Sequence, residues 1–122
     1  MKALLLIAHG SNRQYSNDEI RSLTDRLRAK IKTHFDHVDC VFLEISKPSI
    51  ADGIQQCATA GADEITLLPY FLSAGKHIAE DIPGIVAEQR DRYPQINMQI
   101  CGYVGKQPEM EDLLKRIALH YG

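Results

Sequence analysis

The apolar residues of this chain fall into four short runs, separated by longer stretches with helical periodicity. Ala3–Ala8 is a continuous apolar run, which is typical of a parallel strand buried on both faces. Val38–Ile45 (VDCVFLEI), Ile65–Leu68 and Ile96–Ile100 are rich in aliphatic and β-branched residues and also predict strands. A sheet of four strands is therefore expected.

Between these runs, apolar residues recur at the three- and four-residue spacing of helices that bury one face. In the first predicted helix they are Ile20, Leu23, Leu27 and Ile31. Asn17 and Asp18 predict the start of that helix, because short polar side chains accept hydrogen bonds from its free N–H groups. The second helix is predicted to begin at Pro48, with Ser46 as its cap, and to end near Gly61.

Two more helices are predicted in the second half of the chain. The third is expected over Ile78–Arg92, and Pro83 predicts an irregular start because proline has no N–H to donate. The fourth should begin at Pro108. The apolar residues on its predicted face are Met110, Leu113, Leu114 and Ile117.

Strands that alternate with helices form a parallel sheet through right-handed crossovers. We therefore predict an α/β, flavodoxin-like three-layer sandwich, one domain over residues 1–122, with a parallel sheet of strand order 2-1-3-4. Ligands of such folds bind beyond the carboxyl ends of the strands. His9 follows the first strand, Glu44 ends the second, and His77 follows the third after a loop. Because neighbouring strands lie about 4.8 Å apart, these three side chains are expected to converge.

Composition narrows the class of protein. The formal net charge of −2 provides no extended basic surface for nucleic acid or an anionic membrane. Cys40, Cys57 and Cys101 are odd in number and form no C-x-x-C pair, so neither a disulfide framework nor a zinc–thiolate site is expected. Reduced, buried thiols point to the cytoplasm. The apolar run Ala3–Ala8 is too short for a signal peptide or a membrane span.

Two imidazoles and one carboxylate suit a divalent ion such as Co²⁺, Fe²⁺, Ni²⁺ or Zn²⁺. Imidazole must be neutral to bind a metal ion, so metal binding should weaken below about pH 6.5. The same groups can accept protons. A metal ion that enters a tetrapyrrole displaces pyrrole protons, so His9, His77 and Glu44 could serve both as ligands and as bases.

Three segments carry a more specific resemblance. They are Ala8-His9-Gly10-Ser11, then Phe42-Leu43-Glu44 followed by Lys47-Pro48-Ser49, then Pro69-Tyr70-Phe71-Leu72 leading through Gly75-Lys76-His77 to Asp81-Ile82-Pro83. In order and spacing, over essentially the whole chain, they resemble the sirohydrochlorin chelatases of the CbiX type, a class II chelatase group.

The resemblance implies a lyase that inserts cobalt, or else iron or nickel, into sirohydrochlorin without ATP and without a cofactor beyond the metal substrate. By resemblance, His9 and His77 match metal-binding and proton-accepting histidines, and Glu44 matches their acidic partner. The products of such enzymes lead to cobalamin, siroheme or a nickel tetrapyrrole. The length of this chain resembles the short form of the family, which implies a homodimer that rebuilds a two-lobed architecture.

Other residues at the same predicted edge are candidates for holding the polycarboxylate substrate. The charged candidates are Arg13, Lys47 and Lys76, although each could equally be an ordinary surface charge. Ser11 is expected to donate a hydrogen bond either to a ligand or to the loop after the first strand. Tyr70, Phe71 and Leu72 either contact the macrocycle or serve as core or dimer contacts. His34 and His37 are three residues apart, which is a spacing that a metal-binding pair could also have. Their expected position at the end of a helix instead favours solvated imidazoles that interact with the helix dipole.

Two other functions are compatible with these residues. A metal or tetrapyrrole carrier would use the same site without catalysis. A phosphatase or phosphate-binding protein could use the N–H groups of Gly10 and Ser11 to bind an anion. The histidine phosphatases, however, begin with arginine-histidine-glycine, and Ala8 stands at the position of that arginine.

Overall fold

The computed structural model describes residues 1–122 and contains a four-stranded sheet and four α-helices. The strands are β1 Lys2–Ala8, β2 His37–Phe42, β3 Glu64–Pro69 and β4 Asn97–Ile100. The helices are α1 Gln14–Ile31, α2 Ile50–Thr59, α3 Ile82–Arg92 and α4 Glu109–Tyr121. A π-helical turn, His77–Asp81, precedes α3, and a 3-10 turn, Val104–Lys106, precedes α4. No helix combines the length and the apolar character needed to span a lipid bilayer.

The sheet is parallel throughout and has the strand order β2-β1-β3-β4, which confirms the predicted order. Ala8 at the end of β1 pairs with Phe42 at the end of β2. Ile7 pairs with Pro69, the last residue of β3. The carboxyl ends of three adjacent strands are therefore level, and the loops that follow them start side by side.

Helices cover both faces of the central strand. On one face, α2 and α3 pack over β1 and form a cluster that includes Leu5, Ile7, Ile54 and Val86, each at most 1% exposed. On the other face, α1 covers β1 and β2 through Ile20 and Leu23, which pack against a smaller cluster around Phe42. Because helices cover both faces of β1, this strand has no solvent-facing side, which explains why Ala3–Ala8 is continuously apolar.

The last helix is the exception to this layering. α4 contacts chiefly the 3-10 turn before it, and none of its residues is buried. The predicted apolar face is present, yet Leu113, Leu114 and Ile117 remain 41%, 57% and 44% exposed. On the face of the sheet that α1 occupies, β3 and β4 therefore have no helix over them, and Leu68 of β3 is only half-buried there.

Two predicted boundaries near the site are wrong. α1 begins at Gln14 rather than after Asn17, because Asn17 is a buried residue of the first turn that bonds the preceding loop instead of capping the helix. β2 ends at Phe42 rather than Ile45, because Ile45 has φ +71° and cannot continue an extended strand.

The start of α2 also differs from its prediction. Ser49, not Ser46, caps this helix by accepting a hydrogen bond of 3.1 Å from the N–H of Asp52. Pro48 lies before the helix. The end of α2 near Gly61 is confirmed, since Gly61 has the φ of +98° that glycine adopts readily.

The irregular start predicted at Pro83 is confirmed. The N–H of Ile82 donates to the carbonyl of His77, five residues earlier, which is the hydrogen bond of a π-helix. Pro83 has no N–H, so the ordinary α-helical bond to the residue four before it cannot form. His77 and Asp81 are the first and last residues of the resulting wide turn.

Candidate functional site

The site begins at the loop after β1, which carries His9. The next residue, Gly10, has φ +99°, and a Cβ atom there would lie 1.9 Å from the carbonyl oxygen of Glu44. Glycine is therefore required twice, for its backbone conformation and for the close approach of the loop after β2.

Asn17 holds the same loop from the α1 side. It is 7% exposed, its Oδ1 accepts from the N–H of Ser11 at 3.1 Å, and its Nδ2 donates to the carbonyl of Ser11 at 2.8 Å. The hydroxyl of Ser46 also donates to that carbonyl, at 3.1 Å. The β1–α1 loop is thus tied both to α1 and to the loop before α2.

Glu44 lies opposite His9 on the loop after β2. Its N–H donates to the carbonyl of His9 at 3.1 Å, which extends the pairing of the two strands by one more step. The side chains meet as well, with Glu44 Oε1 at 2.6 Å from His9 Nε2. Each side chain remains about half exposed, 53% and 48% respectively, so the pair faces solvent.

His77 reaches the site through the loop after β3. The N–H of Tyr70 donates to the carbonyl of Ile7 at 2.8 Å, which fixes the start of the loop beside β1. The N–H of Gly105 donates to the carbonyl of Phe71 at 3.0 Å, and a Cβ on Gly105 would lie 1.7 Å from the carbonyl oxygen of Leu72. The segment before α4 therefore packs directly on the loop that carries His77.

The three predicted side chains converge. The rings of His9 and His77 lie 5.0 Å apart between centroids. One ligand atom from each of His9, Glu44 and His77 can be chosen so that all three lie within 4.8 Å of one another. Two nitrogen donors and a carboxylate on a half-exposed edge suit a borderline divalent ion with open coordination positions.

A second carboxylate, which was not predicted as a site residue, touches this group. Asp81 Oδ2 lies 2.9 Å from His77 Nδ1, across the π-helical turn. The spacing of four residues at a helix start is the sequence signal that could have identified this pair, because such residues share a helix face.

The candidates for substrate contact lie around this edge without forming one cluster. The guanidinium of exposed Arg13 donates to the hydroxyl of Tyr15 at 3.1 Å. Lys47 and Lys76 are exposed on two different loops. Ser11 lines a surface cavity of about 330 Å³ together with His9 and Tyr70.

The three apolar candidates split into two kinds. Tyr70 and Leu72 are exposed, by 38% and 73%, and Tyr70 lines the same cavity as His9. Phe71 instead packs against the main core, with its ring 6.4 Å from that of His77. Tyr70 and Leu72 are thus available to a ligand, whereas Phe71 supports the loop.

His34 and His37 lie at the opposite edge of the sheet. His34 follows α1, and its ring contacts the hydroxyl of Thr33 at 3.1 Å. His37 is the first residue of β2 and pairs with Ala3, so its predicted position at a helix end is wrong. Neither residue is part of the group that could hold a metal ion.

Comparison with known proteins gives a consistent set of relatives. The chain matches the model of the CbiX family over residues 3–119. It is 30% identical over 118 residues to a sirohydrochlorin cobaltochelatase of Sulfolobus acidocaldarius, covering 97% of this chain and 90% of that protein. It is 29% identical over 117 residues to a sirohydrochlorin cobaltochelatase of Priestia megaterium, covering 94% of this chain and 37% of that protein.

A solved structure shows the same fold. The sirohydrochlorin chelatase SirB from Bacillus subtilis subspecies spizizenii, in complex with cobalt, matches with a TM-score of 0.83 and 27% identity. The match covers 96% of this chain and 50% of that one. This chain thus spans about half of SirB and less than half of the Priestia megaterium relative.

Proposed function

This chain is a member of the CbiX family, and we propose on that basis that it inserts a divalent metal ion into sirohydrochlorin without ATP. The observation that carries the proposal is the convergence of His9, Glu44 and His77 at the carboxyl edge of the sheet. Cobalt is the proposed first substrate, because the Sulfolobus acidocaldarius relative, which is matched over nearly the whole length of both chains, is named a cobaltochelatase. Iron is a second, since another Priestia megaterium relative is named a ferrochelatase.

In the proposed mechanism, the two imidazoles and the carboxylate bind the incoming ion while their outer side stays open to solvent. The tetrapyrrole then lies over this edge, and its ring nitrogens replace the protein ligands. Each pyrrole N–H releases a proton as the metal–nitrogen bond forms. The basic atoms freed by the metal, His9 Nε2 with Glu44 Oε1 and the second histidine, His77, accept these protons.

The surroundings supply contacts for a flat, polyanionic ring. Tyr70 and Leu72 offer exposed apolar surface on the loop that leads to His77. Arg13, Lys47 and Lys76 are exposed cations on three separate loops, and each could pair with a carboxylate arm. A ring held by its rim in this way would keep its nitrogens over the metal ligands.

We also propose that the functional unit is a homodimer. α4 exposes an apolar face, and β3 and β4 lack a covering helix on the face of the sheet that α1 occupies. Between them lies a cleft of about 400 Å³, lined among others by Leu68, Met110 and Leu113. A second copy could cover both surfaces reciprocally, as in an isologous dimer. The half-length match to SirB supports this pairing, since two copies have about the length of that chain.

The proposed location is the cytoplasm. Its support is the presence of three free cysteines, two of them buried, without a disulfide. Unpaired thiols are usual where the environment is reducing.

Metal insertion is tested by following sirohydrochlorin absorbance with Co²⁺ and catalytic amounts of protein. We expect more product than one equivalent per chain. H9A and H77A should reduce the rate to the uncatalysed level, while H34A and H37A, at the opposite edge, serve as matched controls that keep it. Full activity of both H9A and H77A would contradict the proposed site.

A carrier is the main alternative, and the same assay separates it. Product that stops at one equivalent per chain would indicate delivery without turnover. The phosphate-binding alternative loses support, because the N–H of Ser11 already bonds Asn17 Oδ1 and is not free for an anion.

A further inference from the structure

His77 and Asp81 form an exclusive pair. The only side-chain hydrogen bond or ion pair of Asp81 is its 2.9 Å contact with His77 Nδ1, and no lysine or arginine neutralises this carboxylate. His77 Nδ1 likewise has no other partner. Asp81 also lies outside the group of three residues that could hold a metal ion.

The chemistry of this contact determines where the imidazole proton lies. An ionised carboxylate only accepts hydrogen bonds, so a neutral His77 must carry its hydrogen on Nδ1 to donate to Asp81. Nε2 is then the nitrogen with a free lone pair. A ligand histidine needs such a lone pair, and a carboxylate on the other nitrogen also increases its basicity and fixes its ring.

The backbone of the turn holds this pair in place. The N–H of Ala79 donates to the carbonyl of Gly75 at 2.9 Å, and Ile82 closes the turn onto the carbonyl of His77. The side chain of Ile82 is 1% exposed and belongs to the main core. Asp81 is thus anchored by its buried neighbour, although it faces the site.

The two histidines differ in this respect. The carboxylate that contacts His9 belongs to Glu44, which is itself a candidate ligand. The carboxylate that contacts His77 belongs to Asp81, which is not in the group that could hold a metal ion.

We propose that Asp81 is a positioning residue, which fixes His77 in the Nδ1–H tautomer and presents its Nε2 to the metal. The proposal rests on the proposed function, because it assumes that His77 is a metal ligand. In this proposal Asp81 contacts a metal ligand without binding the metal itself. The π-helical turn places its carboxylate against the imidazole ring of His77.

The test has two parts on the full chain. Long-range ¹H–¹⁵N correlation spectra of histidine-labelled protein at pH 8, without metal, should show the hydrogen of His77 on Nδ1. Titration with Co²⁺ alone should then show binding about 10- to 100-fold weaker in D81A than in the unmodified chain. The matched control is E80A, which removes one negative charge from the same turn without touching His77 and should leave Co²⁺ affinity unchanged.

A hydrogen on Nε2 of His77 in the unmodified protein would overturn the proposal without any variant, even if D81A failed to fold. Equal Co²⁺ affinity of D81A and the unmodified chain would also overturn it. In both cases Co²⁺ binding that depends on His77 would leave the proposed function standing. Co²⁺ affinity unchanged in H77A would instead refute the metal site itself, and the Asp81 proposal with it.

Discussion

His9 and Glu44 are joined twice, once through the backbone and once through their side chains. The N–H of Glu44 bonds the carbonyl of His9 at 3.1 Å, and their side-chain nitrogen and oxygen lie 2.6 Å apart. The backbone bond places both residues at the same level of the sheet, one step beyond the paired ends of β1 and β2. The pairing of the strands thus places the two residues side by side, which allows their side chains to meet.

Removal of the charge of Glu44 should weaken the site without changing its shape. E44Q keeps the size of the side chain and an oxygen that can accept from His9, but it loses the anionic ligand. We expect Co²⁺ affinity to fall by at least about tenfold, equivalent to about 1.4 kcal/mol. Isothermal titration with Co²⁺ measures this loss. E64Q, which removes an exposed carboxylate at the opposite end of β3, is the control, and equal affinities in both variants would exclude Glu44 as a ligand.

Gly10 should be intolerant of a side chain. In G10A, the φ of +99° becomes strained and the new Cβ meets the carbonyl oxygen of Glu44, so the two loops must separate. The free energy of unfolding should fall by about 1–3 kcal/mol, and metal binding should weaken because His9 and Glu44 move apart. Urea denaturation and Co²⁺ titration measure the two effects.

The control for this change is G84A in α3. No atom lies within 4 Å of the position that its Cβ would occupy, so we expect no loss of stability and a gain of up to about 1 kcal/mol from better helix propensity. If G10A instead kept the stability and the metal affinity of the unmodified chain, the prediction would be contradicted, and the loops after β1 and β2 would not need their close approach at Gly10.

The exposed face of α4 should control the oligomeric state. We expect the chain to behave as a species of twice its 13.7 kDa mass, and the double variant L114E/I117E to be monomeric, because two charges then replace apolar contact surface. Size-exclusion chromatography with light scattering measures the mass, and circular dichroism verifies that the fold is kept. K115E alters the charge of the same helix without removing an apolar residue and should remain dimeric. A monomeric unmodified chain at high concentration would contradict the dimer.

The three thiols should react at different rates. Burial raises the pKa of the Cys57 thiol to about 11 and also raises those of Cys40 and Cys101. Only the thiolate reacts with iodoacetamide, so at pH 8 each native thiol is mostly in its unreactive form. Cys101 is the most accessible and should be alkylated first, whereas Cys40 and Cys57 should require unfolding. Mass spectrometry of the labelled peptides, with guanidinium-denatured protein as the control, measures the order. If Cys57 in the native protein were labelled as rapidly as Cys101, the core around Cys57 would have to open on the timescale of the labelling reaction.

The predictions from sequence were most accurate where burial alone decides the pattern. A strand enclosed on both sides must be apolar throughout, so β1 was recognisable, and alternation of strands with helices was enough to predict a parallel sheet. Boundaries next to the site were less accurate. Asn17 has the side chain of a helix cap, but in the folded chain it bonds Ser11, and Ile45 belongs to an apolar run although its backbone leaves the strand.

The sequence by itself determined the parallel α/β architecture, the positions of His9 and His77 after the first and third strands, and the irregular turn at Pro83. These features follow from local hydrophobic periodicity and from the missing N–H of proline. Only the tertiary structure showed the contact of Gly10 with Glu44, the packing of Gly105 on Leu72 and the exposed position of α4. These features depend on how close two distant segments come in space. Local sequence patterns do not show how closely two distant segments approach, because that distance is set by the packing of the whole fold.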